Sequence, residues 1–172
     1  TRGDRRAFGE FYELHRDEIY RYIYFRVSSQ KTAEDLTGIV FLEAWEYLQR
    51  KRPAVSKIEN FRAWIFRIAH NKVVDHYRTR KDKEPLAGKE EYLASQADVE
   101  VEIEKMDTAQ ELKKAIHQLS SLYQQVIILR FINQLSHAEV ADILDIHEGH
   151  ARILQYRALK ELKRYIPKGY QP

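Results

Sequence analysis

Cysteine is absent from the 172 residues, which removes disulfide scaffolds, thiolate zinc sites and thiol catalysis together. Long apolar runs are missing too: the longest are stretches such as Val126 to Leu129, whereas a membrane span needs about 20 mostly apolar residues in succession. No membrane insertion is expected. The opening Thr1-Arg2-Gly3-Asp4-Arg5-Arg6 is basic but lacks the uninterrupted apolar segment of a secretory signal, so a cytoplasmic location is the expectation. Gly-rich phosphate loops and nucleophile elbows do not occur, and the scattered carboxylates form no acid–base pair. His147 and His150 sit near His137 at helical spacing, yet no third ligand motif such as H-E-x-x-H accompanies them. Neither an enzyme nor a metal nor another cofactor is expected.

What is present is helix-forming sequence with an uneven charge. The formal total of +3 hides a net +5 over residues 1–80, −6 over 81–111 and +4 over 112–172. Two basic blocks thus flank an acidic bridge. The bridge holds Pro85, Gly88, Ser95 and the alternating Val99-Glu100-Val101-Glu102-Ile103-Glu104, too little apolar material for a core of its own. Residues 82–107 read as a linker with a short helix, either a solvated tether or a negative segment that lies in a basic channel or imitates nucleic acid.

Apolar residues recur at three and four positions in both blocks, and Gly and Pro are few, so both read as helical. In the first, Phe8, Phe11, Ile19, Ile23 and Val27 trace one stripe up to a break at Ser28-Ser29-Gln30. Thr32 with Asp35 predicts an N-cap, and Leu36, Val40, Ala44 and Leu48 line a second helix that Arg50-Lys51-Arg52-Pro53 ends. Phe61, Trp64, Ile65, Ile68 and Ala69 make a third stripe, with Arg62, Arg67, Asn71, Lys72, Asp75 and Arg78 on its other side. In the second block, Ser121 with Gln124 and Ser136 with Glu139 match capping boxes. Short helices are predicted near residues 108–119, 122–133, 137–144 and 148–165. The last two, joined by a tight turn at Asp145-Ile146, form a helix-turn-helix with small Ala141 at the crossing. Asp145 stands where Gly is commonest and is among the few other residues that tolerate a left-handed backbone.

Glu34-Asp35-Leu36-Thr37 with Val40-Phe41-Leu42-Glu43-Ala44-Trp45, then Asn60-Phe61-Arg62-Ala63-Trp64-Ile65-Phe66-Arg67-Ile68-Ala69-His70-Asn71 with Asp75 and Arg78, resembles region two of bacterial extracytoplasmic-function sigma factors. Leu119 to Leu162, including Val126-Ile127-Ile128-Leu129-Arg130 and Leu135-Ser136-His137-Ala138-Glu139-Val140-Ala141, resembles their region four. Two motifs in the right order and at the right separation are far more specific than a lone helix-turn-helix.

The resemblance implies an all-α protein: a region-two-like domain over residues 1–81, the acidic linker over 82–107 and a region-four-like domain over 108–172. It implies a factor that joins core RNA polymerase and directs promoter recognition and melting. Glu34, Asp35 and Leu36 match the start of the polymerase contact motif, while Gly38 and Ile39 stand where the family often has Gln and an acid. The third helix and the loop before it match the surface that captures the melted minus-ten strand: Arg50, Lys51, Arg52, Lys57, Asn60, Arg62, Arg67, Asn71 and Arg78. Such capture needs a basic groove for phosphates and an aromatic face or pocket for unstacked bases, and each stacked base contributes about 1 to 3 kcal/mol.

Region four is implied to read upstream duplex DNA through His150, Arg152, Gln155, Tyr156 and Arg157, with the early turns of the helix reaching base edges. Ile153 and Leu154 replace the usual small hydroxylic and basic residues, and Gln155 stands where an apolar core residue is expected. Either the helix is rotated or upstream readout is weakened; in the second case the minus-ten contacts, or an additional recruiting protein bound beside it on the DNA, would choose the promoter. An anti-sigma factor is the further partner the family implies. The competing readings are a helix-turn-helix regulator that binds duplex DNA without polymerase, and a helical adaptor whose altered reading helix binds protein.

Overall fold

The structure, a computed structural model, describes residues 2–50, 58–83 and 103–166, and the regular elements among the described residues are helices. They fall into two compact units. The first holds α1 (Arg2–Arg26), α2 (Gln30–Arg50) and α3 (Phe61–Lys83). The second holds α4 (Ile103–His117), α5 (Ser121–Ile127) continued by a π turn (Ile128–Ile132), α6 (His137–Leu144) and α7 (Glu148–Leu162). None of the described helices is long and apolar enough to cross a membrane.

In the first unit the predicted α1 stripe is buried at Ile19, Ile23 and Val27, joined by Tyr22; α1 packs on α2, where Val40 and Ala44 are buried as well. Phe8 and Phe11 are only half-buried; Phe8 lies 4.9 Å from the Trp45 ring, and Phe11 meets Phe41 edge-on at 6.4 Å. The α3 stripe keeps part of the expected set, with Ile65 and Ala69 buried as predicted, and otherwise differs. At about 100° per residue, Ala63, Phe66, Ala69 and Val73 share the face turned to the core, and all four are buried. Phe61 falls on the far side and is exposed, and Trp64 and Ile68 are half-buried. The turn between α1 and α2 is capped one residue group earlier than predicted: Ser29, not Thr32, is the cap, its Oγ accepting from the Thr32 amide at 3.0 Å. At this same end of α1, Tyr77 Oη donates to the Arg26 carbonyl at 2.5 Å and ties α3 to it.

In the second unit the cap of α5 is Ser120 rather than Ser121, its side chain accepting from the Tyr123 amide. Gln124 is spent differently from a capping-box glutamine: its Nε2 donates back to the Leu119 carbonyl at 2.9 Å, satisfying the end of the preceding connection. The π turn closes with the Asn133 amide donating to the Ile128 carbonyl at 3.0 Å, and Gln134 follows in a left-handed conformation, φ 55°. Ser136 and Glu139 form the predicted capping box, with both reciprocal bonds present. Asp145 is left-handed as expected, φ 53° and ψ 51°, and buried Ala141 sits beneath the turn, its carbonyl accepting from the Ile146 amide at 3.0 Å. This turn delivers α7, whose inner stripe is Ala151, Leu154, Ala158 and Leu162.

Candidate polymerase and nucleic-acid interfaces

On α2 the exposed face is set by the same helical arithmetic. Asp35, Gly38, Ile39 and Leu42 lie along one side and are exposed, with Glu34 adjoining. Leu36 belongs to the opposite side and is 8% exposed, so its side chain fills the core instead of presenting a docking surface. The exposed apolar pair Ile39 and Leu42, framed by Glu34, Asp35 and Glu46, was passed over in the sequence because the apolar positions of a helix are read first as core. Leu42 is 58% exposed. The signal was its place one turn beyond Asp35 and Gly38, off the Leu36–Val40–Ala44 stripe.

On α3 the expected nucleic-acid residues separate into two groups. Arg67, Asn71 and Arg78, with Val74 between them, follow i, i+4, i+7 and i+11 spacing and share one exposed stripe. Arg62 points to the other side. Its Nη2 and Nε donate to the two carboxylate oxygens of Glu18 on α1 at 2.9 and 3.2 Å, and its guanidinium carbon lies 5.9 Å from the Phe66 ring centroid. His15 Nδ1 lies 3.2 Å from the same carboxylate. Burial pushes the Glu18 carboxyl up, but the hydrogen bonds from Arg62 and His15 outweigh it and hold it below the usual carboxylate range. A two-pronged, partly shielded charge pair of this kind is costly to open, so Arg62 braces α3 against α1 instead of waiting for phosphate. Asn60 is also occupied: its Oδ1 accepts from the Ala63 amide at 2.9 Å and caps α3. Both members of the expected DNA-contact set thus already have partners within the fold, because a polar side chain at a helix start first satisfies its own fold.

Arg78 and Arg50 instead make surface pairs, Arg78 with Asp75 at 3.0 Å and Arg50 with Glu46 at 3.3 Å, both well exposed. Exposed pairs contribute about 0 to 1 kcal/mol and exchange readily for a phosphate. Lys51, Arg52 and Lys57 lie outside the described residues. Beside the α3 stripe stands an aromatic group: Tyr47 and Trp64 have ring centroids 5.4 Å apart, Phe61 and Trp64 6.0 Å apart, and Tyr47 and Phe61 are exposed. The sequence reading assigned Phe61 and Trp64 to the core and did not single out Tyr47. Lys72 pairs with Glu43 and joins α3 to α2 behind this group.

On α7, His150, Arg152, Tyr156 and Arg157 are exposed together with Ile153. Arg152 pairs with Glu148 one turn away, at a solvated position. Leu154 is buried and Arg152 lies outside. Gln155, however, does not reach outward: its Oε1 accepts from Arg130 Nε at 2.8 Å, and the same guanidinium donates through Nη1 to the Leu135 carbonyl. Gln155 is therefore a structural partner of the π turn. No group of three or more His, Asp or Glu able to hold a metal ion occurs among the described residues.

With these faces in place, comparison with known proteins is informative. Residues 11–83 match Sigma-70 region 2 and residues 109–162 match Sigma-70 region 4. The chain is 36% identical over 168 residues to the extracytoplasmic-function RNA polymerase sigma factor BldN of Streptomyces coelicolor, a match covering 96% of this chain and 62% of that longer protein. It is 26% identical over 176 residues to the sigma factor SigW of Bacillus subtilis, covering 96% of this chain and 91% of that one. Its fold resembles the sigma factor RpoE of Bartonella quintana, solved with the anti-sigma factor NepR: TM-score 0.75 at 23% identity, over 92% of this chain and 96% of that one. CnrH, solved with the cytosolic domain of CnrY, gives a TM-score of 0.69 at 23% identity, over 93% and 87%. The chain belongs to the extracytoplasmic-function sigma factors.

Proposed function

We propose that this chain is an alternative sigma factor that binds core RNA polymerase, selects a promoter and opens it. The observation that carries the reading is the occurrence in one chain of both sigma regions, in order, each presenting an exposed face of the chemistry its task needs. The α2 side bearing Glu34, Asp35, Ile39 and Leu42 docks on polymerase, its apolar centre supplying contact area and its carboxylates orientation. The α3 stripe of Arg67, Asn71 and Arg78 runs beside the phosphates of the melted minus-ten strand, Arg50 joins it from the end of α2, and Tyr47, Phe61 and Trp64 supply faces for unstacked bases. Arg62 and Asn60 hold the geometry of that surface. The exposed face of α7 enters the major groove of upstream duplex DNA through His150, Arg152, Tyr156 and Arg157. Binding energy drives melting, and the polymerase supplies the covalent chemistry.

An anti-sigma factor that covers these faces completes the set of partners, as NepR is solved on RpoE of Bartonella quintana. A regulator acting without polymerase would have no use for the α2 face. Reconstituted run-off transcription with core polymerase and a genomic promoter library tests the assignment. Discrete transcripts that depend on the added chain are expected. Absence of both transcripts and a complex with core polymerase would remove it.

A further inference from the structure

Ile153 is the apolar residue on the exposed side of α7 to which the proposed function gives no contact. It is 50% exposed, although its neighbour Leu154 is 4% exposed and serves the core. Counting about 100° per residue, the exposed arc of α7 runs from Arg152 through Tyr156, Gly149, Lys160 and Ile153 to Arg157 and His150. Ile153 lies near the middle of that arc, where a helix laid in a groove comes closest to the base edges. Gly149, one turn earlier on the same face, has open space where a side chain would stand, so the N-terminal side of Ile153 carries no side chain from that position. Arg152, itself paired with Glu148, and Arg157 flank it, and Lys160, Lys163 and Arg164 continue an exposed cationic face to the end of α7 and just past it. A branched apolar group on a face that carries cations suits a polyanion with an apolar point of its own. Duplex DNA has one such point in the major groove, the 5-methyl group of thymine.

We infer that Ile153 reads a thymine methyl in the upstream element, so that this chain exchanges a hydrogen-bonding contact for an apolar one and keeps sequence discrimination at that base pair. The inference rests on the assignment of α7 to upstream duplex DNA. It also replaces the idea that Ile153 merely weakens readout: an apolar side chain at this place discriminates thymine from cytosine and from uracil, though by less than a bidentate pair does.

The test uses the full chain bound to core polymerase. Upstream duplexes are selected from a random pool, each thymine of the selected element is replaced singly by deoxyuridine, and binding is measured for the native chain, Ile153→Ala and Ile153→Val. Loss of one buried methyl contact corresponds to about a fourfold weaker complex. At one thymine the native chain should lose about that factor on methyl removal, Ile153→Val a smaller one, and Ile153→Ala none. Because Ile153 is half outside the fold, the variants should remain helical. Salt-dependent duplex binding with no thymine sensitive to methyl removal, or with equal sensitivity in Ile153→Ala, overturns the inference while leaving region four on DNA. A complex whose affinity is indifferent to the upstream duplex altogether overturns the assignment of α7 as well.

Discussion

Arg130 Nε donates to Gln155 Oε1 at 2.8 Å and so joins the π turn to the middle of α7. The same guanidinium reaches the Leu135 carbonyl, just after the left-handed Gln134. One cation therefore fixes both the exit from the π turn and the rotation of α7. A polar pair at this half-buried position specifies rotation more sharply than an apolar contact, because hydrogen bonds fail steeply with misalignment.

The two halves of that relationship should weigh unequally. Gln155→Ala removes one charge-assisted bond and should lower the stability of the second unit by about 1 to 2 kcal/mol. Arg130→Ala leaves the Leu135 carbonyl and Gln155 both without their donor and should cost about 2 to 3 kcal/mol. Amide hydrogen exchange in α6 and α7 would register the difference. Equal effects would mean that the Leu135 contact contributes nothing.

Asp35 and Leu36 are adjacent in sequence and opposite in role, so paired substitutions separate docking from folding. Asp35→Arg should weaken binding to core polymerase while leaving helicity and unfolding unchanged. Leu36→Ala should instead lower stability by about 2 to 4 kcal/mol through loss of buried volume. Both tryptophans lie in the first unit, at 45 and 64, so their fluorescence follows its unfolding directly. An unaltered affinity for polymerase in Asp35→Arg would remove that residue from the interface.

Acid should loosen the first unit in two successive windows. Burial, aided by the charge of Arg26, lowers the His70 pKa from its ordinary 6.5, with Tyr22 Oη 3.4 Å from Nδ1. The unfolded chain then takes up a proton before the folded one does, and stability falls as pH drops from about 6.5 through the folded value. Glu18, held below its ordinary 4.5, contributes stability that is present above that pH and lost as pH falls through its depressed value. His70→Gln should flatten the upper window alone. Glu18→Gln should flatten the lower one and weaken the unit at neutral pH, which unfolding followed from pH 7 to pH 3 would separate.

Much of this was legible before the structure. Helix periodicity located α1, α2, α6 and α7; Ser136 with Glu139 announced the capping box; Asp145 announced the left-handed turn. What failed was the assignment of face and partner. Arg62 and Arg67 look alike in sequence, yet five residues on a helix turn a side chain about 140°, and only the packing of α3 on α1 decides which of the two meets Glu18. Gln155 was misread for a related reason: a polar residue on a reading helix is assigned to the groove unless its neighbour across the fold is known, and Arg130 lies 25 residues away. Caps were displaced by one to three residues at Ser29 and Ser120 because serine-rich breaks offer several equivalent oxygens.

That separation of the two α3 arginines makes the last prediction. If the stripe of Arg67, Asn71 and Arg78 holds the single-stranded minus-ten segment, Arg67→Ala and Arg78→Ala should reduce open-complex formation more than initial recruitment to the promoter. Their contacts are with phosphates that take up their final path only after the strands part, and each is at an exposed position, so the fold should be unaffected. Arg62→Ala should behave differently. By leaving Glu18 without its two-pronged partner it should destabilise the α1–α3 packing by about 1 to 3 kcal/mol and diminish recruitment and opening together. Permanganate reactivity of promoter thymines measures opening, and electrophoretic retention of the polymerase–promoter complex under conditions that keep the duplex closed measures recruitment. An Arg67→Ala chain that loses both in proportion, with its unfolding unchanged, would show that the stripe attracts phosphate generally and does not act on the melted strand.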